Sequence, residues 1–217
     1  MPEAPENATL PLSARDPYPV AARKLLRETL LDAALDELGR RDWDEITMAD
    51  IAKTAGVSRQ TLYKEFGSRD EFAQAFVLRE GERFLAAVEG AILGNVEDPL
   101  TALRSALEVF LGASAEHPLV RSAIGGRHGA DSILPLITTQ GEPLIGYAVA
   151  RLAEIIATGW PQVAREEIEL LAESLVRLAI SYLVMRPDSV DATAAALTRL
   201  LGPFLEQALA EAGPATA

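Results

Sequence analysis

The stretch from Thr47 to Phe66, TMADIAKTAGVSRQTLYKEF, constrains this chain more than any other. Thr47 stands where a helix N-cap belongs, able to accept from a backbone N–H one turn on, and Asp50 supplies a shortened capping-box carboxylate three residues later. Met48, Ile51 and Ala52 form an apolar stripe at helical spacing. Gly56 stops that helix, because glycine takes the left-handed C′ conformation at little cost, and Val57 follows as an apolar plug for the corner. Ser58 then caps a second helix carrying Leu62, Tyr63 and Phe66. Two helices joined by a short glycine-containing turn make a helix-turn-helix, whose second helix suits the major groove of duplex DNA.

The polar residues of this segment fit that use. Behind the cap at Ser58, Arg59, Gln60 and Thr61 are donors suited to base edges, while Thr47, Tyr63, Lys64 and Ser68 suit phosphates. Gly67 breaks the second helix, Ser68 caps the next, and the backbone N–H groups of Ser68 and Arg69 would offer a phosphate the start of a helix. From Lys53 to Arg69 there are four basic residues and one acid, Glu65, in a chain whose formal charge is −12.

Over Arg23 to Phe76 the sequence resembles the TetR family of bacterial transcriptional regulators. The matching pattern is a leading helix, then Thr-x-x-x-Ile-Ala-x-x-Ala-Gly-Val-Ser-x-x-Thr-Leu-Tyr-x-x-Phe, then Gly-Ser-Arg-Asp-Glu opening a fourth helix. The resemblance implies an N-terminal, homeodomain-like three-helix DNA-binding domain, a larger helical domain that binds a small effector, and dimerisation on a palindromic operator. One position departs from the pattern: Glu65 stands where many members carry His, and a carboxylate there would repel phosphate, so no DNA contact is carried to it.

The rest of the chain reads as all-α, about nine helices in total, with no strand pattern and no fixed-period repeat. Residues 1–19, with five prolines, read as a flexible arm, residues 20–67 as the DNA-binding domain, and residues 68–217 as the ligand-binding and dimerisation domain. The first helix is expected over Val20 to Arg41, with Arg23, Lys24 and Arg27 in its opening turns, where cations oppose the helix dipole and invite an external anion. Trp43 reads as a core plug. A long helix follows through Phe72, Phe76, Phe84, Val88 and Ile92, then helices over 98–116 and 118–124, one from Asp131 or Ser132 to Thr158 that Gly141 and Pro143 should kink or split, and two more over 162–185 and 188–209.

Charge is divided along the chain: residues 71–217 carry ten basic and nineteen acidic groups, so the acid lies away from the DNA-reading segment and confines DNA contact to it. There is no cysteine, no metal-ligand spacing, no glycine-rich phosphate loop and no nucleophile elbow, so neither an enzyme nor a cofactor is expected. The N-terminus has no signal-peptide pattern, and the longest apolar run falls short of the ~20 residues that span a bilayer, so a cytoplasmic protein is expected.

The last two helices are apolar on more than one face, and a second stripe needs a second partner. Either these helices are central in the fold or they meet a copy of themselves; the family resemblance implies the second, with Leu171, Leu175, Leu178 and Tyr182 on the first and Leu197, Leu200, Leu201 and Phe204 on the second as the expected homodimer interface. The middle helices are the implied effector chamber. Candidate ligand residues are Arg104, Leu107, Phe110, Arg127, His128, Tyr147 and Arg177, although packing or solvent exposure accounts for each more simply. An apolar chamber would take a lipophilic or acyl-type small molecule. The alternative is a DNA-binding regulator without such a ligand, governed by a protein partner or by abundance.

Overall fold

The structure, a computed structural model, describes residues 17–125, 133–137, 141–185 and 188–213. The arm up to residue 16, the Arg127–His128 loop, the expected caps Asp131 and Ser132, and Arg186-Pro187 lie outside the described residues. The described residues are helical with no strand: α1 Tyr18–Leu38, α2 Met48–Thr54, α3 Arg59–Phe66, α4 Arg69–Leu93, α5 Pro99–Glu116, α6 Pro118–Gly125, α7 Leu134–Ile137, α8 Glu142–Gly159, α9 Arg165–Val184 and α10 Val190–Ala212, with a 3₁₀ turn at Trp43–Glu45. No described helix is long and apolar enough to cross a membrane.

Local signals set most of the boundaries. The capping box at Thr47 is complete: its hydroxyl accepts from Asp50 N–H at 3.2 Å and the Asp50 carboxylate accepts from Thr47 N–H at 2.9 Å, so the shorter carboxylate suffices. Gly56, at φ +71°, ends α2 with both reverse bonds of a Schellman turn, Gly56 N–H to Lys53 O and Val57 N–H to Ala52 O. Ser58, Ser68, Asp98 and Ser189 cap α3, α4, α5 and α10. The helix expected from 131 to 158 is split into α7 and α8, with Gly141 as N-cap and Pro143 in the first turn of α8. The helix expected from Gln162 begins instead at Arg165, because Val163 is buried and its N–H turns back to Trp160 O.

Two apolar cores organise the molecule, and α4 belongs to both. The first holds α1, α2, α3 and the N-terminal half of α4, with Trp43 buried and stacked on Phe72 and Phe76, as its sequence position predicts. Leu119 and Ala123 of α6 and Ile133 before α7 close it from behind. The second holds the other half of α4 with α5, α8, α9 and α10. Here α4 packs on α5 and α8, α9 packs on α8 and α5, and the four close a ring; α10 lies along α5. Gly202 permits that last approach, since a Cβ there would stand 2.8 Å from Leu100 Cδ2.

The dimer-interface expectation is corrected at two positions. Leu171 and Leu197 are buried within one protomer and offer no surface to a second chain. Leu175, Leu178 and Tyr182 line a half-open apolar cavity, and Leu201 and Phe204 are half-buried against the second core. Leu200 of α10 stands out, 67 % exposed, and Leu170 and Val184 of α9 and Met185 just after it are exposed as well. Part of the second apolar stripe of α9, Leu175, Leu178 and Tyr182, thus faces a cavity in its own protomer, while Leu170 and Val184 face outward.

Candidate nucleic-acid interface and apolar chamber

On α3 the apolar side chains Leu62 and Phe66 are buried, and Ser58, Arg59, Gln60 and Lys64 face solvent. Gln60 and Lys64 make no side-chain hydrogen bond or ion pair among the described residues, which leaves them open to an external partner. Arg59 lies over the Tyr63 ring at 5.2 Å and donates to its hydroxyl at 3.3 Å, a pairing loose enough to break for a base edge. Ser58 and Thr61 are joined side chain to side chain at 2.8 Å and serve the cap. Thr47 is exposed beside the Asp50 carboxylate, which its hydroxyl, its backbone N–H and Arg41 hold down to a pKa of about 2.

Two expected contacts at the start of α4 are corrected. Arg69 turns inward: its guanidinium donates to the carbonyls of Trp43 and Ile46 and lies 5.0 Å from the Trp43 ring. At the same helix start the Glu71 carboxylate accepts the Ser68 N–H at 2.7 Å, so one of the two N–H groups expected to meet phosphate serves the chain's own capping box.

Glu65 finds an internal role. Arg23 Nε donates to its carboxylate at 2.7 Å, and Arg27 donates to its backbone carbonyl at 2.7 Å while lying over the Phe66 ring at 4.0 Å. The anion expected at the start of α1 is thus a side chain of the recognition helix, and its charge is neutralised before it can repel phosphate. The angle of α2 is fixed by a second tie. The buried Glu37 of α1 accepts from Arg41 and from the Thr54 hydroxyl, and these bonds hold its carboxyl below the ordinary range.

Inside the ring of α4, α5, α8 and α9 lies a cavity of about 170 Å³ with no charged residue in its wall. Leu107, Phe110 and Tyr147 line it, as expected of ligand residues. Arg104 and Arg177 do not: each is exposed and paired on the outside, Arg104 with Glu108 and Asp191, Arg177 with Glu173. Arg127 and His128 lie outside the described residues. Tyr147 marks the rim, since its ring lines the cavity while its exposed hydroxyl donates to Glu82 at 2.9 Å, a bond that raises its pKa above the ordinary 10.0. The sequence reading missed Phe84, Leu85 and Val88 as chamber wall; the signal was present in the stripe they form on α4. It also missed Trp160, whose indole N–H is tied to Val96 O at 3.1 Å.

Comparison with known proteins agrees with both regions. Residues 30–76 match the model for bacterial regulatory proteins of the tetR family, and residues 98–203 match that for the bacterial tetracyclin repressor C-terminal domain. The chain is 40 % identical over 201 residues to the HTH-type transcriptional regulator AlkX of Mycobacterium tuberculosis, covering 93 % of this chain and 95 % of that one. Among solved structures, the TetR family repressor AlkX from Dietzia sp., implicated in biodegradation of n-alkanes, superposes with a TM-score of 0.75 at 34 % identity, covering 84 % of this chain and 96 % of that chain. A regulator from Pectobacterium atrosepticum, at 20 % identity and a TM-score of 0.62 over 87 % of this chain and 96 % of that one, shares the fold.

Proposed function

The chain belongs to the TetR family of bacterial transcriptional regulators, a non-enzymatic class that binds DNA, and from that premise we propose that it is a dimeric repressor released from a palindromic operator by a lipophilic effector. The observation that carries this reading is the span of α4. Phe72 and Phe76 sit in the core of the DNA-reading head, and Phe84, Val88 and Ile92 of the same helix wall the cavity. A molecule that swells the cavity must push on a helix whose other end supports α3. To reverse a population that is almost all competent, the effector needs to discriminate between the two states by about 5 kcal/mol.

The cavity wall sets the effector class. Burying a carboxylate or ammonium among Leu, Ile and Phe side chains without a partner costs several kcal/mol, so the buried part of the effector is hydrocarbon and any polar end stays at the rim near Tyr147. The alkane connection of the Dietzia relative supports the same class. Base reading falls to Arg59, Gln60 and Thr61, and phosphate contact to Lys64, Tyr63 and Thr47. A single helix-turn-helix makes few contacts, whereas a two-fold pair reads two half-sites. The exposed Leu200 and Leu170 are the apolar surface best suited to join two protomers.

Selection of bound DNA from a random pool at fixed salt tests the whole reading. A palindromic consensus bound by two chains, and released by medium-chain alkanes, alkanols or fatty acids, is the expected result. Gln60→Ala should change preference at particular base pairs, and Lys64→Ala should weaken all sequences alike and reduce the salt slope by about one. A non-palindromic consensus, or indifference to every hydrocarbon, would overturn the dimer or the effector respectively.

A further inference from the structure

Between the chamber and the head lies a buried carboxylate that neither region uses. Glu80 of α4 is completely buried. One oxygen lies 2.6 Å from Arg79 Nε and 3.5 Å from Arg83, and the other lies 3.1 Å from His117 Nε2; these are close contacts without hydrogen-bond geometry, so both oxygens are left without a hydrogen-bond partner among the described residues. The other ring nitrogen of His117, Nδ1, accepts the Leu119 N–H at 3.3 Å, which fixes the ring against α6. The same imidazole packs edge-on against Phe84 at 5.0 Å, and Phe84 against Phe110 at 5.8 Å; both phenyl rings wall the chamber. On the other side, Arg79 and Arg83 both reach Asp32 of α1, at 2.6 and 2.8 Å.

We propose that His117 is a positioning residue that latches the head to the chamber, holding Glu80 so that Arg83 remains on α1. This rests on the effector reading of the cavity and adds its route of transmission. An uncompensated buried carboxylate is costly, so one that loses a neighbouring nitrogen draws on the next nearest cation. A chamber occupant that displaces Phe84 or Phe110 moves the His117 ring with them and strips one oxygen of Glu80. Arg83, half exposed and already 3.5 Å away, is the nearest mobile replacement, and its shift to Glu80 releases Asp32. α1 then loses one of its anchors, and α1 is the helix whose Arg23 and Arg27 hold Glu65 on the recognition helix. α6 moves with His117 and carries a parallel bond, Ser122 Oγ accepting the Trp43 N–H at 3.0 Å inside the head core. Two arrangements of one carboxylate among three neighbouring nitrogen-bearing side chains provide the bistable element that coupling between sites requires.

The two tryptophans allow a test without operator DNA. Trp43 lies in the head and Trp160 in the chamber wall, so Trp160→Phe leaves a reporter of the head alone. In that background the chamber is filled in two ways: with 1-decanol, its occupancy measured by equilibrium dialysis of labelled alcohol, and by Ala148→Phe, which places a ring in the cavity with no ligand. Filling should shift Trp43 emission in the parent; His117→Ala should take up decanol equally and lose the shift, and His117→Gln, which keeps an N–H donor toward Glu80, should restore it. With operator DNA, filling should weaken the parent by about 5- to 150-fold and leave His117→Ala nearly unaffected. Should His117→Ala fail to fold, Arg83→Gln cuts the next link at an exposed position and should also lose the shift. A Trp43 response that persists in the His117 or Arg83 variants overturns the latch. Failure of decanol to bind overturns the effector class, and the Ala148→Phe arm still decides the latch.

Discussion

Replacing Glu65 by Gln should make this regulator bind DNA more tightly and more salt-sensitively. In the folded chain the Glu65 carboxylate, 12 % exposed, is neutralised by Arg23, 62 % exposed, at 2.7 Å. The amide removes one negative charge from each head and frees a guanidinium at the start of α1. The second tie is untouched, because Arg27 binds the backbone carbonyl of residue 65 and the Phe66 ring, neither of which changes. A pair this exposed contributes about 1 kcal/mol or less, so the fold should survive its loss. If each freed Arg23 meets a phosphate, the slope of log K against log salt steepens by about 0.9 per head. Between 50 and 200 mM salt the variant then loses about 3.5-fold more affinity than the parent for one head, and about 12-fold more for two. Fluorescence anisotropy on the selected operator over that salt range measures this directly. An unchanged slope would show that Arg23 does not approach the backbone. A salt-independent loss of affinity would show that the side-chain pair, and not Arg27, sets the angle of α3.

Other consequences are equally accessible. Asp50 is depressed from its ordinary 3.8 to about 2 by Thr47, so its contribution is complete above pH 4 and lost as pH falls toward 2; carbon NMR titration should find the low value, and the acid limb of the stability curve should flatten in Asp50→Asn. Ser122→Ala strands the buried Trp43 N–H and should cost about 1–3 kcal/mol in urea unfolding. Gly56→Ala meets no atom within 4 Å yet must adopt φ +71°, so it should cost about 1–2 kcal/mol through conformation alone, with the unfolding slope m unchanged.

What was legible in the sequence was what local chemistry decides. The caps at Thr47, Ser58 and Ser68, the stop at Gly56 and the split at Gly141 each depend on residues within one turn, and each is where the pattern puts it. Arg69 was misread because its partners are carbonyls 23 and 26 residues away, which no local pattern encodes. Glu65 fitted poorly for the same reason: its neutralising arginine lies 42 residues upstream. The apolar excess on α9 was legible, but its meaning was not. A helix that walls a cavity carries the same second stripe as a helix that meets another chain, and on α9 Leu175 and Tyr182 line the cavity while Leu170 is exposed. Arg104 and Arg177 looked like polar exceptions within a chamber until their outward i, i+4 partners, Glu108 and Glu173, gave them an ordinary surface role.

The first core bears on how such regulators exchange parts. A cut at residue 67, where α3 ends, separates Trp43 and Phe66 from Phe72 and Phe76, and leaves behind Leu119, Ala123 and Ile133, which cover them from the far side. A reading head transplanted at that seam would arrive with its aromatic cluster open to water. A graft that keeps its shape must take the first turns of α4 together with α6, and α6 brings His117 with it. The unit that can be inherited whole is therefore larger than the unit that touches DNA, and new operator preferences are reached more readily by changing surface residues of α3 than by trading heads.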